Sequence, residues 1–505
     1  MENNENIGSS ASAEEILFKY SLSFSKSSVP FDRDETEKGK GAEKFEGSVQ
    51  LYKEYLVVSA PGFTALKLHY RDIDKALGRQ YKLYIDVVGG LYFKLYEIGY
   101  EYENFLKNFF YLRNEIIIKD LLMKEKILRP YVEGEFEEKS TDGKSSVKGE
   151  CLIRIYETAV VVVPKVSQIK RYPFGLIDSI NGGNYKIIIK MEDGAVLELS
   201  MLGYEFETLL RDIIKANDVL VEKTQQLIKE ISPSERSLEV SQLSSILKDG
   251  RAAQKDKICA ISPEFFSKIE EKLKDQKVRD YYSHLQSISE MDKTCIGIKK
   301  GLFGEMTGYY LWFLFPLSSG QQGSFSNCIA LEAMTIAIQD ENKGQETDAT
   351  TQALQHSKNN MQTQEDADAV NQDEIGFQTG GRATYIFRMI DRAEFAKQYK
   401  SGKKVSLSSA GIGDKYDGFI RKINKCMLAI NFRREPVYMT DDQLALDSNT
   451  SYRYAVNMIP ELSWLREIFT GRVIHKDAKT WQNDLKEILE FNLNSVDNFL
   501  KWQKK

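Results

Sequence analysis

Hydrophobic and polar residues along this chain fall into a pattern that occurs twice. In its first occurrence, short alternating runs at residues 17–24, 48–52, 55–58 and 65–70 predict strands, because side chains in a strand point to opposite faces with period two. Residues 81–87 and 91–96 predict a hairpin, with Gly89-Gly90 supplying the positive φ of a tight turn. Phe105, Phe109, Leu112 and Ile116 then recur at helical spacing and predict a helix that buries one stripe against the sheet. The second occurrence has a first strand at 131–136 and a hairpin of 185–191 and 195–200 around Glu192-Asp193-Gly194. It closes with a helix carrying Phe206, Leu209, Leu210 and Ile213.

The two occurrences align without a gap from His69 to about Ile118, at a constant offset of 104 residues. Ile73-Asp74 matches Ile177-Asp178, Tyr81-Lys82 matches Tyr185-Lys186, and Gly90 matches Gly194. Leu95 matches Leu199, Gly99-Tyr100-Glu101 matches Gly203-Tyr204-Glu205, and Glu103 and Leu106 match Glu207 and Leu210. One register held over glycine, tyrosine and acidic positions marks an internal repeat. Each copy reads as six strands and a closing helix.

Past the second copy the pattern turns helical. Ser232-Pro233-Ser234-Glu235 reads as a capping box with proline at the first helical position, and 238–247 follow at helical spacing. A further helix is expected from Ser262-Pro263-Glu264 to about Ser289. Strands are expected at 295–302, 309–317, 328–334 and 383–390, and helices near 417–431, 460–469 and 478–491. Residues 339–381 are rich in Gln, Asn, Asp, Glu and Thr and carry too few apolar residues to fold. The expected organisation is a disordered N-terminus at 1–14, copies at 15–126 and 127–230, and a helical connector at 231–290. An α+β domain at 291–491 holds the disordered insertion at 339–381, and a tail follows at 492–505. The expected fold class is α+β.

Composition narrows the function classes. The net charge of -5 gives no global attraction to nucleic acid or to an anionic membrane. The five cysteines (Cys151, Cys259, Cys295, Cys328 and Cys426) are scattered without CxxC or Cys/His spacing, which points to free thiols in a reducing compartment. Residues 1–15 are polar and acidic, unlike a secretory signal. The longest apolar run, 309–317, is well short of the roughly 20 residues that span a bilayer. A cytoplasmic location is the expectation.

With strands, a glycine-containing hairpin and a closing helix, residues 15–225 resemble the pleckstrin-homology (PH)-like superfold and its GRAM and bacterial PH relatives. The resemblance rests on the order of elements and on the Ile-Asp, hairpin and Gly-Tyr-Glu positions named above. It implies tandem PH-like sandwich or barrel modules, and binding of peptides or phosphoinositides through loops or a strand–helix groove. Lipid-binding members carry a basic first loop. Here Lys26, Arg33, Lys38, Lys40 and Lys44 are balanced by Asp32, Asp34, Glu35, Glu37 and Glu43. In the second copy Lys139, Lys144 and Lys148 meet Glu137, Glu138 and Asp142. Protein binding is therefore preferred to lipid binding.

Candidate chemistry is sparse. His69, His284, His356 and His475 stand apart from Cys and from metal-ligand spacing, and Asp477 reads as the cap of a helix that follows His475. Gly301–Gly304 and Gly411–Gly413 lack the lysine of a phosphate loop and read as turns, and no GxSxG or HExxH occurs. Glu101/Glu103 and Glu205/Glu207 stand in the first turns of the two helices, where the helix dipole favours negative charge. Lys165, Lys170 and Arg171, in an expected turn of the second copy, are a candidate anion contact without counterpart in the first, with a solvated loop as the preferred reading. Tyr309, Tyr310 and Trp312 belong to an aromatic run that reads as a central strand, with a partner surface as the minor alternative. No catalytic residue, metal ligand or cofactor site is expected. The leading expectation is a non-catalytic scaffold or adaptor that binds protein partners or itself, with no nucleic acid. Peripheral recognition of anionic lipid comes second, and an enzyme with its site in the C-terminal α+β domain third.

Overall fold

The computed structural model describes residues 15–31, 43–120 except 89, 125–140, 146–274, 279–300, 309–318, 325–336, 383–389 and 409–494 except 431, 433, 445, 447, 448, 450, 451, 454, 457, 458 and 476. The expected disordered segments at 1–14 and 339–381, and most of the tail at 492–505, lie outside the described residues. The protein is mixed α+β with curled antiparallel sheets. Two compact units divide the chain: one holds residues 1–172, 176–214 and 441–458, the other residues 173–175, 215–440 and 459–505.

The first unit contains two seven-stranded sheets. One consists of β1 (Phe18–Ser27), β2 (Glu43–Leu51), β3 (Tyr55–Ala60), β4 (Phe63–His69), β5 (Ile73–Arg79), β6 (Lys82–Val87) and β7 (Leu91–Tyr96), in the order 4-3-2-1-7-6-5. Helix α1 (Tyr102–Asp120) follows. The other is built from β8 (Ile127–Lys139), β9 (Ser146–Tyr156), β10 (Ala159–Pro164), β11 (Lys170–Pro173), β12 (Ile177–Gly183), β13 (Lys186–Met191) and β14 (Val196–Ser200). Its order, 11-10-9-8-14-13-12, is the same once the strands are renumbered, and helix α2 (Phe206–Ile231) follows.

Registers coincide through most of both sheets, the exception being β8–β9, which is irregular between Ile127 and Val132 where β1–β2 is continuous. Val49 pairs with Val58 as Ile153 pairs with Val162. Gly78 pairs with Leu83 as Gly182 pairs with Ile187, and both hairpins carry a bulge after the opening isoleucine, Ile73 or Ile177. Phe24 lies between Phe45 and Leu95, and Phe136 lies between Gly149 and Leu199. The first strands thus correspond at an offset of 112, whereas everything after the first loop corresponds at 104. Eight more residues separate Phe24 from Phe45 than separate Phe136 from Gly149, and that difference hides the full length of the repeat from gapless alignment.

Each copy has seven strands, not the expected six. The missed strands, β5 and β12, are sheet edges. β5 buries only Ile73 and Ala76, and β12 buries only Ile177, so neither shows an alternating apolar pattern. Glycine at the same place on each edge admits the closing helix. A Cβ on Gly78 would lie 2.8 Å from a Leu106 methyl, and one on Gly182 would lie 2.2 Å from a Leu210 methyl. Phe105 and Phe109 of α1, and Leu209 and Ile213 of α2, are fully buried, as their spacing requires.

The second unit is a six-stranded antiparallel meander. Its strands run in chain order: β15 (Ala253–Gln254), β16 (Cys295–Lys300), β17 (Tyr309–Ser318), β18 (Phe325–Ile336), β19 (Ala383–Arg388) and β20 (Phe469–Ile474). The four expected strands are its centre, and the short edge strands β15 and β20 were not foreseen. On one face Leu311, Phe313 and Phe315 join a core with helices α3 (Ser237–Ile246), α4 (Lys255–Ile261), α5 (Pro263–Lys274) and α6 (Arg279–Ser287). On the opposite face Tyr310 and Trp312 meet Phe432, which follows helix Ser409–Ala429.

Three local expectations are corrected. Helix α3 starts at Ser237 rather than at Pro233, with Glu239 accepting from the Arg236 backbone N–H at 2.8 Å. Glu235 serves another purpose: its buried carboxylate accepts the hydroxyls of Ser232 and Ser262 at 3.0 and 2.9 Å, joining the segments before α3 and α5. Of the helix expected at 262–289 the described residues form α5 and α6, with 275–278 outside the described residues, and Gly411–Gly413 lies in helix Ser409–Ala429 rather than in a turn.

Candidate functional site

The sequence-predicted cations do not form an anion clamp. Lys170 and Arg171 lie in β11, not in a turn. Lys165 pairs with Glu150 and Lys170 with Glu138. The Glu150 carboxylate raises the Lys165 ammonium, while burial lowers that of Lys170. Arg171 donates to Glu125 at 2.7 Å and to the Thr158 hydroxyl at 2.9 Å, both side chains of the ion pair being 8% exposed. A phosphate would have to displace a carboxylate at each position.

Of the aromatic run, Tyr310 and Trp312 are buried inside β17, so they cannot anchor a partner. The side chain of Tyr309 and the segment Gly301–Gly304 are outside the described residues. Trp312 donates its indole N–H to the Gly250 carbonyl at 2.7 Å. This close passage needs Gly297, where a Cβ would stand 2.1 Å from the indole nitrogen.

Arg171 belongs instead to a polar junction inside the first unit. Glu125 also accepts the Thr158 backbone N–H and hydroxyl, at 3.1 and 2.6 Å. Glu115 of α1 accepts from Arg154 of β9 at 2.6 Å and from the Tyr131 hydroxyl at 2.5 Å, and the Arg154 guanidinium lies 3.8 Å from the Tyr131 ring centre. Asn114, fully buried, donates to the carbonyls of Pro164 and Ser167 at 3.3 and 3.2 Å. The equivalent residues of α2, Asp218 and Val219, are exposed. Helix α1 therefore closes its own sheet and also docks on the second sheet. Buried polar groups bonded to one another demand specific geometry, because breaking one contact strands its partner.

The same tip projects from each copy. Glu97 and Gly99 have φ of 60° and 68°, and Met201 and Gly203 have φ of 55° and 56°. Each pair brackets a buried anchor, Ile98 or Leu202, and turns out the next tyrosine. Tyr100 and Tyr204 are 106% and 105% exposed and contribute nothing to the core. Left-handed backbone at a non-glycine residue costs about 1 kcal/mol, and Glu97 and Met201 both adopt it. Tyr81 and Tyr185, on hairpin tips with φ of 56° and 58°, lie beside Tyr102 and Phe206 at 5.4 and 5.8 Å. These exposed aromatic tips were legible only as repeat positions. Nothing in periodicity reveals that a tyrosine following two αL residues faces solvent.

The second unit buries a different polar cluster. Glu332 of β18, with a fully buried side chain, accepts from the Thr384 hydroxyl of β19 at 2.6 Å and lies 3.1 Å from His475 Nε2. Trp481 donates its indole N–H to Thr384 Oγ1 at 3.0 Å, and His475 stacks on Tyr281 with ring centres 4.0 Å apart. One imidazole nitrogen, Nε2, faces both Glu332 and Thr384. A nucleophile relay needs one nitrogen toward each partner, so this arrangement ties strands and helices together rather than activating Thr384. Asp477 caps the following helix as expected, accepting from the Thr480 N–H at 2.9 Å. Among the described residues no group of three or more His, Cys, Asp or Glu side chains is placed to hold a metal ion.

All five cysteines are free thiols. Burial pushes Cys151, Cys295 and Cys328 up to about 12 and raises Cys426 as well. Since the thiolate is the reactive form, one thiol, the half-buried Cys259, is expected to react with a disulfide reagent in the native protein ahead of the other four. Mass mapping of a timed labelling reaction checks this; early label on Cys295 or Cys328 would contradict it.

No protein-family model matches the chain, and no curated protein matches it in sequence. Among the described residues, no helix is long and apolar enough to cross a membrane.

Proposed function

We propose that this protein is a non-catalytic scaffold in which two PH-like modules present the same tyrosine tip to protein partners. The reading is supported above all by Tyr100 and Tyr204, which are fully exposed at equivalent positions while the backbone around both is held in the same strained conformation. The seven-stranded sheet and closing helix of each copy support this reading. The junction around Glu115, Arg154, Glu125 and Arg171 gives the copies a defined mutual placement, as a composite binding surface requires. Exposed tyrosines are effective interface anchors because they bury a large area while ordering few rotamers.

The test is affinity capture from a native extract with the wild-type chain and with Tyr100→Ala/Tyr204→Ala. Neither side chain packs against the fold, so the variant should melt like wild type. Partners retained by wild type and lost by the variant are the expected result. An identical set from both proteins would contradict the reading.

A further inference from the structure

Comparison of the two tips points to a partner chemistry, and this step rests on the scaffold reading above. Exposed positions around Tyr100 differ between the copies: Glu97, Asn104, Lys107 and Tyr111 correspond to Met201, Thr208, Arg211 and Lys215. Tyr100, Glu101 and Glu103 are nevertheless repeated as Tyr204, Glu205 and Glu207. Helix-dipole stabilisation accounts for the glutamates but not for a tyrosine that touches nothing.

The second copy shows what such a tip accepts. Arg129, at the start of β8, places its guanidinium between Glu205 and Asp212, bonding to both. In the first copy the position is filled differently. Arg129 pairs with Ile155 across β8 and β9, and the residue in that ladder position of the first sheet is Phe18, opposite Leu51. Asp212 is replaced by Asn108, which donates to the Tyr20 hydroxyl at 2.7 Å. Glu101 therefore receives no guanidinium from its own first strand, and no Lys or Arg occurs from Glu97 to Leu106.

We propose that the Tyr100 tip binds an arginine-bearing segment of a partner protein. Its guanidinium takes beside Glu101 the place that Arg129 takes beside Glu205. A charge-assisted bond to Glu101, the nearby Glu103 carboxylate and the open face of the Tyr100 ring together favour a planar cation over a neutral group. In the second copy Glu205 already holds an arginine of its own chain while Tyr204 stays exposed, so the glutamate is occupied in one tip and open to a partner's arginine in the other.

The experiment uses the full chain and a fluorescein-labelled peptide of alternating arginine and glycine, with a glutamate–glycine peptide as control, read by anisotropy at low salt. Wild type should bind the arginine peptide and not the glutamate peptide. Tyr100→Ala leaves the net charge unchanged and should weaken binding about tenfold, the scale of a lost cation–π contact plus its exposed pairing. Glu101→Gln should weaken it comparably, and Tyr204→Ala should leave it as in wild type. Equal binding by wild type and Tyr100→Ala would overturn the proposal, as would equal losses from Tyr100→Ala and Tyr204→Ala. If capture from the extract depends on the tyrosines while the arginine peptide fails to bind, the inference about arginine is wrong and the scaffold reading stands.

Discussion

Replacing His475 by alanine is expected to destabilise the second unit by about 2–4 kcal/mol, the sum of a lost buried hydrogen bond and a lost ring stack. His475 is 6% exposed, covers the Tyr281 ring and supplies the Nε2 contact to a carboxylate with no access to water. Without it, Glu332 keeps only the Thr384 hydroxyl among the contacts described above. Glu332→Gln retains the shape and an oxygen that accepts from Thr384, so it should cost about 1 kcal/mol, the net worth of an ordinary hydrogen bond. Urea unfolding followed by tryptophan fluorescence checks both values, since Trp481 is itself part of the cluster. A His475→Ala midpoint equal to wild type would show that the cluster is not a fastening.

Arg171→Ala is expected to have an effect of similar or larger size in the first unit, about 3–5 kcal/mol, because it leaves a buried carboxylate without its cation. Glu125 and Arg171 are equally buried, so solvent screens neither partner appreciably. Removing both at once should be less costly than the two single changes added together, with a coupling of about 1–3 kcal/mol. A double-mutant cycle on the unfolding transition measures this. Additive costs would show that the pair is adventitious and that the junction is held elsewhere.

The sequence carried the repeat because glycine, tyrosine and glutamate keep one register through the hairpins and into the helices. It carried less of the first strands, since the eight extra residues between Phe24 and Phe45 break the offset. Edge strands such as β5 and β12 were silent, because a strand with one buried face and few neighbours needs few apolar residues. The helix stripes and the four central strands of the second sheet were legible for the opposite reason: burial writes a period into them. Candidate chemistry was the least legible. Lys165, Lys170 and Arg171 look like a basic cluster in one dimension and are three separate ion pairs in three. Glu332 and His475 are 143 residues apart, and nothing local to either announces the other.

The equivalence of the two halves of the first unit underlies every functional statement made of them, and it can be measured in solution by paired spin labels. With Cys259 replaced, labels at Lys75 and Lys107 probe the distance from edge strand to helix in one copy, and labels at Ser179 and Arg211 probe the same distance in the other. Coincident distance distributions are predicted; two distributions with distinct maxima would mean that the copies share a sequence register without sharing a fold.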